Sequence, residues 1–68
     1  MKNGEQPALT KMELDELQHI SKNQPVHDGD TLAASTKRSL LNSKLITNIG
    51  GFNMTTIKGD ELLKALEK

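Results

Sequence analysis

The sequence predicts an α+β fold with three main helices and a two-stranded β-hairpin. Three observations indicate it: a capped amphipathic segment near the start, a Gly50-Gly51 pair between two β-capable runs, and a capped leucine-rich segment after Thr56. The expected order is helix, short turn or helix, helix, strand, strand, helix. The 68 residues suffice for one domain, at residues 9–68, after a polar segment at residues 1–8 that we expect to be disordered.

The first helix begins at a recognisable cap. Thr10 is a favourable N-cap residue, and Glu13 three residues later completes a capping box. An apolar stripe follows at helical spacing, formed by Leu14, Leu17 and Ile20. We expect the charged residues, Glu16 among them, to lie outside this stripe and the helix to cover about residues 11–22.

The segment at residues 23–30 interrupts this pattern. Pro25 disfavours helix at the residue before it, and Asp28-Gly29 indicates a turn. A single helical turn fits at residues 31–34. Either Asp30 or Ser35 is then expected to cap the second helix, depending on whether that turn forms.

The second helix is predicted to have its body at residues 36–45. Its apolar positions are Ala34, Leu40, Leu41 and Leu45. Lys37 and Asn42 fall mostly on the opposite side, so this helix is expected to present a polar, cationic face.

A hairpin is predicted next, with β-capable runs at residues 45–49 and 52–57. Gly50 and Gly51 both tolerate positive φ, as a type I′ turn requires. Phe52 and Met54 alternate with polar residues, so we expect an apolar strand face and a core around Phe52, the only aromatic residue. Val26 is a candidate for a further, very short strand.

The last helix is expected to be capped by Thr56. Its predicted buried stripe consists of Ile57, Leu62, Leu63 and Leu66. Asp60 and Glu61 fall in the first turn, where the helix dipole favours acids, and Lys64 and Lys68 fall toward the end.

Charge is distributed unevenly along a chain that is neutral overall. Residues 31–59 contain four cations and no acid; the cations are Lys37, Arg38, Lys44 and Lys58. They fall on a face of the predicted second helix and at the root of the predicted hairpin. The sequence therefore predicts one basic surface on an otherwise balanced protein.

Several classes of site are disfavoured by composition and spacing. The absence of cysteine excludes disulfides and thiolate zinc sites. His19 and His27 belong to different elements, and the Asp28-Gly29-Asp30 turn lacks the remaining ligands of a calcium loop, so we expect no metal and no cofactor. No nucleophile elbow or phosphate loop is present, so we expect no catalytic residue. Without a signal peptide or an apolar span, no membrane association and a cytoplasmic location are expected.

The stretch from Leu40 to Leu66 resembles the C-terminal half of winged helix-turn-helix proteins. The matching positions are Leu40-Leu41-Asn42-Ser43-Lys44-Leu45-Ile46, the Gly50-Gly51 pair, and Thr56-Ile57-Lys58-Gly59 before Asp60-Glu61-Leu62-Leu63. With the turn at residues 27–30, which is similar to one in small phage and prophage proteins, the resemblance extends over about residues 26–66. It implies a winged-helix-like domain with a recognition helix, a wing hairpin and a final helix.

Two functions follow as expectations. The first is a small DNA-binding regulator of phage or prophage type, in which Lys37, Arg38, Asn42 and Lys44 face DNA and Lys58 lies near its backbone. The second is a protein–protein interaction module, an adaptor or inhibitor that binds a host or phage protein. The second is favoured by the short segment before the recognition helix, which holds only one helical turn. A homodimer is compatible with either function.

Overall fold

The computed structural model describes residues 9–66, which fold into three α-helices and a three-stranded antiparallel sheet. The elements are α1 (Lys11–Asn23), β1 (Val26–His27), a 3₁₀ turn η1 (Asp28–Asp30), α2 (Ala34–Asn42), β2 (Ile46–Ile49), β3 (Phe52–Thr55) and α3 (Ile57–Leu66). The fold class α+β is confirmed. The disorder predicted for residues 1–8 and the position of Lys68 lie outside the described residues.

The sheet has three strands in the order β1-β3-β2, so the prediction of a two-stranded hairpin was wrong. The third strand, β1, contains only two residues and pairs Val26 with Asn53. A two-residue strand carries almost no periodic signal, which is why the sequence indicated no more than a candidate at Val26. The predicted turn is present, with φ of 61° at Gly50 and 90° at Gly51.

At Phe52 and Asn53 the burial pattern of β3 is the reverse of the predicted one, while Met54 and Thr55 are both half-buried. Phe52 is 43% exposed, whereas Asn53 is completely buried. Asn53 tolerates burial because its amide group is hydrogen-bonded on both sides, to the Val26 carbonyl and to neighbouring polar side chains. Phe52 instead packs edge-on against His27, with ring centroids 5.2 Å apart. The core is therefore aliphatic and does not surround Phe52.

The core lies between α1 and the other elements. Its buried members are Leu17, Ile20, Val26, Leu40, Leu45, Ile46 and Leu63. Gly59 allows α3 to approach the α2–β2 connection, because a Cβ atom at this position would collide with the Leu45 carbonyl oxygen. Leu63 is buried as predicted, but Ile57 is 77% exposed. Ile57 is the first residue of α3 and extends beyond the part of the helix that packs on the core.

Glu16 is completely buried, although it was expected to lie outside the apolar stripe of α1. Its carboxylate accepts hydrogen bonds from the backbone N–H groups of Leu32 and Ala33, at 2.9 to 3.0 Å. Ala33 is the N-cap residue of α2 and provides no side-chain cap. A carboxylate from α1 thus takes the place of the predicted caps at Asp30 or Ser35, which were wrong.

The remaining boundaries of α1, α2 and α3 combine confirmed and corrected predictions. The capping box of Thr10 and Glu13 is present, and the Thr56 hydroxyl accepts a hydrogen bond from the Gly59 N–H group. The helical turn expected at residues 31–34 lies instead at residues 28–30. Ala34 is exposed, and α2 ends at Asn42 rather than at residue 45.

Candidate functional site

The five predicted site residues occupy two neighbouring regions. Four of them, Arg38, Asn42, Lys44 and Lys58, are exposed and lie on α2, just beyond it, or at the start of α3. We call these four residues the basic end. The fifth, Lys37, is turned toward a cluster of polar side chains at the hairpin.

The α2 part of the basic end consists of Arg38 and Asn42. They are four residues apart, so they lie on the same face of the helix about 6 Å apart along its axis. Both are exposed, and so is Ser35 one turn earlier. This face of α2 carries a guanidinium and an amide group that are accessible to a ligand.

Lys44 has an unusual backbone conformation for a lysine. Its φ is 66°, in the left-handed region. The Lys44 N–H donates to the Leu41 carbonyl at 3.1 Å, and the Leu45 N–H donates to the Leu40 carbonyl at 3.0 Å. This pair of hydrogen bonds is a Schellman motif, in which glycine usually occupies the position of Lys44. The motif ends α2 and leaves Lys44 exposed just beyond the helix.

Lys58 completes the basic end from α3. Its Nζ donates to the Ser43 carbonyl at 3.1 Å, at the C-terminal end of α2, where the helix dipole favours a cation. The Thr56 hydroxyl donates to the Lys44 carbonyl at 2.7 Å, which attaches the start of α3 to the same place. Within residues 9–66, neither Arg38, Lys44 nor Lys58 forms a salt bridge. Their charges are therefore not neutralised by a carboxylate of the described part of the chain.

Lys37 is paired with an acid. Its Nζ lies 3.1 Å from Asp28 Oδ1, and its side chain is only 21% exposed. The two residues are nine positions apart, and nothing in the local sequence indicates that η1 brings Asp28 against α2. Lys37 therefore stabilises the link between η1 and α2, and it contributes less to the basic surface than its charge suggests.

Asp28 is the centre of a polar cluster that we call the Asp28 cluster: Asp28, Lys37, Asn48 and Asn53. Asp28 Oδ1 also accepts hydrogen bonds from Asn48 Nδ2 and Asn53 Nδ2, each at 2.9 Å. The Asn53 amide, followed by Lys37, lowers the pKa of the Asp28 carboxyl group below its ordinary value, because these donors favour the ionised form. From the sequence Asp28 was predicted only to be a turn residue, and this cluster was not predicted.

The hairpin carries no charged residue between Ile46 and Thr55. Ile49 and Phe52 are directly paired across β2 and β3, so their side chains lie on the same face, and they are 62% and 43% exposed. The tip of the hairpin is thus apolar. This exposure was not predicted, because phenylalanine is a residue type that is usually buried in a core.

Other polar groups are engaged locally. His19 Nε2 lies 2.9 Å from the Asp30 carbonyl oxygen, and His27 Nδ1 accepts from the Gly29 N–H at 3.1 Å. Over residues 9–66 no three His, Cys, Asp or Glu side chains are grouped as metal ligands would be. None of the helices in that range is long and apolar enough to cross a membrane.

No protein-family model, curated protein or solved structure matches this chain. The geometry of the basic end and of the hairpin is therefore the basis for a functional proposal.

Proposed function

We propose that this chain is a small, non-enzymatic DNA-binding regulatory protein of winged-helix-like architecture. In this proposal α2 is the recognition helix, β2 and β3 form the wing, and the basic end contacts the duplex. The observation that carries the proposal is the exposure of Arg38 and Asn42 in the C-terminal half of α2 and of Lys44 just beyond its end, with Lys58 bonded to the Ser43 carbonyl at the same end.

The order of the elements supports this architecture. A recognition helix, a wing hairpin and a final helix are what the resemblance implies, and α2, the β2–β3 hairpin and α3 occur in that order. The wing has a third strand, β1, along its β3 edge. The supporting position before α2 is taken by the 3₁₀ turn η1 rather than by an α-helix.

The chemistry of the basic end suits a duplex. Arginine donates two hydrogen bonds to guanine, asparagine pairs with adenine in the major groove, and lysine contacts phosphates. With three exposed cations, the electrostatic part of binding is modest, and the logarithm of the association constant is expected to fall with the logarithm of salt with a slope of about −3. Binding is therefore expected to be measurable at low salt and weak at physiological salt.

A second function, protein–protein recognition, is favoured by the hairpin. Its lack of charge and its exposed Ile49 and Phe52 suit an apolar protein surface better than a phosphate backbone. The short η1 in place of a supporting helix points the same way. In this alternative the chain is an adaptor or inhibitor that binds a host or phage protein, or a second copy of itself.

Fluorescence anisotropy with a labelled random duplex of about 20 base pairs at low salt tests the first function. We expect saturable binding by the wild type and weaker binding by Arg38→Gln and Lys44→Gln. Lys22→Gln is the matched control, since it removes one exposed lysine from the C-terminal end of α1. Absence of binding by the wild type, or equal weakening by Lys22→Gln, would contradict DNA binding through the basic end.

A purification from the native host separates the two functions. A stoichiometric protein partner without nucleic acid would favour the adaptor. Bound nucleic acid is easily detected by absorbance, because the chain contains no Trp and no Tyr.

A further inference from the structure

The Asp28 cluster joins four elements through one carboxylate oxygen. Asp28 belongs to η1, and its Oδ1 accepts from Lys37 on α2, from Asn48 on β2 and from Asn53 on β3. The Asp28 backbone N–H also donates to the Gly51 carbonyl at 2.9 Å, directly at the hairpin turn. A single residue thus contacts the helix, both strands and the turn of the hairpin.

The partners of Asp28 are themselves held in place. Asn53 is fully buried, its second amide hydrogen is donated to the Val26 carbonyl at 3.0 Å, and its Oδ1 accepts from Asn48 Nδ2 at 2.9 Å. The Asn48 Oδ1 accepts from the Gly51 N–H at 3.2 Å. Because each amide has its donors and acceptor committed, the arrangement of the hairpin relative to α2 is well defined.

We infer that Asp28 is a positioning residue: its carboxylate fixes the hairpin against α2, so that the two elements form one binding surface. The inference deepens the proposed function, on which its binding readout rests. Asp28 acts through Lys37, Asn48 and Asn53 and makes no contact with the ligand itself.

Electrostatics and positioning predict opposite effects for the loss of this acid. An acid near a DNA-binding surface repels phosphates, so its removal should strengthen binding if charge alone matters. If Asp28 positions the surface, its removal should weaken binding even though the protein becomes more positive. The sign of the change therefore identifies the role.

The test compares Asp28→Asn with Asp30→Asn by anisotropy with the random duplex at low salt. Both substitutions neutralise one exposed acid of η1. Within residues 9–66 the Asp30 side chain makes no hydrogen bond or salt bridge, and its carbonyl, which His19 contacts, is unchanged by the substitution. We expect Asp30→Asn to bind up to about twofold more tightly. Asp28→Asn is expected to bind the duplex at least about threefold more weakly than the wild type, because the hairpin is then held less firmly against α2.

A second measurement, amide hydrogen exchange, tests the inference without DNA. The residue 28 N–H donates to the Gly51 carbonyl, so its hydrogen exchange reports directly on the attachment of the hairpin. The Gly51 N–H donates to Asn48 Oδ1, so its exchange reports on the attachment through Asn48, which Asp28 holds. In Asp28→Asn these amides should exchange about tenfold faster than in the wild type, while the amide of Ile20 in the core of α1 stays within about twofold. Asn at position 28 retains Oδ1, the oxygen that accepts all three side-chain hydrogen bonds, but it loses the charge, so these bonds are weakened rather than removed and the variant is expected to fold. A Lys37→Met variant removes one of the three donors outright and should accelerate the exchange of the same amides.

The outcomes are distinct. Wild-type exchange at Gly51 in both variants would overturn the inference. Faster exchange combined with tighter DNA binding by Asp28→Asn would also overturn it, because Asp28 would then hold the hairpin without serving the binding surface. If the wild type binds no duplex, the proposed function fails, and faster exchange would still support Asp28 as the residue that positions the hairpin.

Discussion

Replacement of Glu16 by glutamine tests how α2 is held in place. Glu16 is completely buried, and its carboxylate is the acceptor for two backbone N–H groups, those of Leu32 and Ala33. Glutamine has nearly the same shape but no charge. Its amide NH₂ group would take the place of one carboxylate oxygen, which lies 2.9 Å from the Leu32 nitrogen.

The size of the effect follows from these contacts. A hydrogen bond to a charged group contributes about 1.5–3 kcal/mol and a neutral one about 0.5–1.5 kcal/mol, so two donors lose about 2 kcal/mol together. The NH₂ group of the glutamine would also face the Leu32 N–H, and this contact between two donors adds to the loss. The total loss of stability is then about 2–3 kcal/mol. For a domain of this size that corresponds to a fall in Tm of roughly 10–20 °C.

The assay is urea or thermal unfolding followed by far-ultraviolet circular dichroism, because the chain lacks the Trp and Tyr fluorescence signals. Asp15→Asn is the matched control on α1. It breaks an exposed pair with Lys11, 3.6 Å apart, and is expected to cost less than about 0.5 kcal/mol. A loss below about 1 kcal/mol in Glu16→Gln would contradict a stabilising role for Glu16, because the desolvation of the buried carboxylate would then cancel its hydrogen bonds.

Three further predictions concern single positions. Lys44→Gly should stabilise the protein by up to about 1 kcal/mol, because glycine suits the left-handed φ at the end of α2, but it should weaken DNA binding. Thermal melts and anisotropy of the same variant check the two effects, and a lower stability than that of the wild type would contradict the first. Gly59→Ala should destabilise the protein by about 3 kcal/mol or more, because the new Cβ would collide with the Leu45 carbonyl. Gly29→Ala is the control in the same melts: its Cβ would lie at an ordinary 3.5 Å from His27, so it should cost under about 1 kcal/mol. The pKa of Asp28 is lowered by the Asn53 amide and then Lys37, and the pKa of Glu13 is lowered by the Thr10 backbone N–H, from ordinary values of 3.8 and 4.5. The two carboxylates therefore contribute their full stabilisation at a pH above the ordinary pKa values. This contribution is lost as the pH falls through the lowered pKa values of the folded state. Stability should decline in acid below about pH 4.5, and Asp28→Asn should show a shallower decline in melts across that range.

The parts of the fold that could be predicted depend on local chemistry. The capping box at Thr10, the Gly50-Gly51 turn and the Thr56 cap each involve residues within a few positions of one another, and all three are present. The end of α2 was misplaced because its Schellman motif uses Lys44 where a glycine would have marked the boundary.

The failures involve partners that are distant along the chain. Glu16 is buried because of backbone groups 16 and 17 residues later, and Asn53 because of Val26 and Asp28. No local pattern encodes these pairs, so a charged and an amide residue were placed at the surface while Phe52 was placed in the core. The same limitation concealed the ion pair of Lys37, the one predicted site residue that the fold separates from the basic end.

The salt dependence of duplex binding measures how many phosphates the basic end contacts, and so tests the claim that this end binds DNA. For the wild type, the plot of the logarithm of the association constant against the logarithm of salt should have a slope of about −3. In Lys44→Gln, one phosphate contact fewer should make the slope shallower by about 1, whereas Lys22→Gln should leave it unchanged. A slope near zero, or equal changes in the two variants, would contradict the claim.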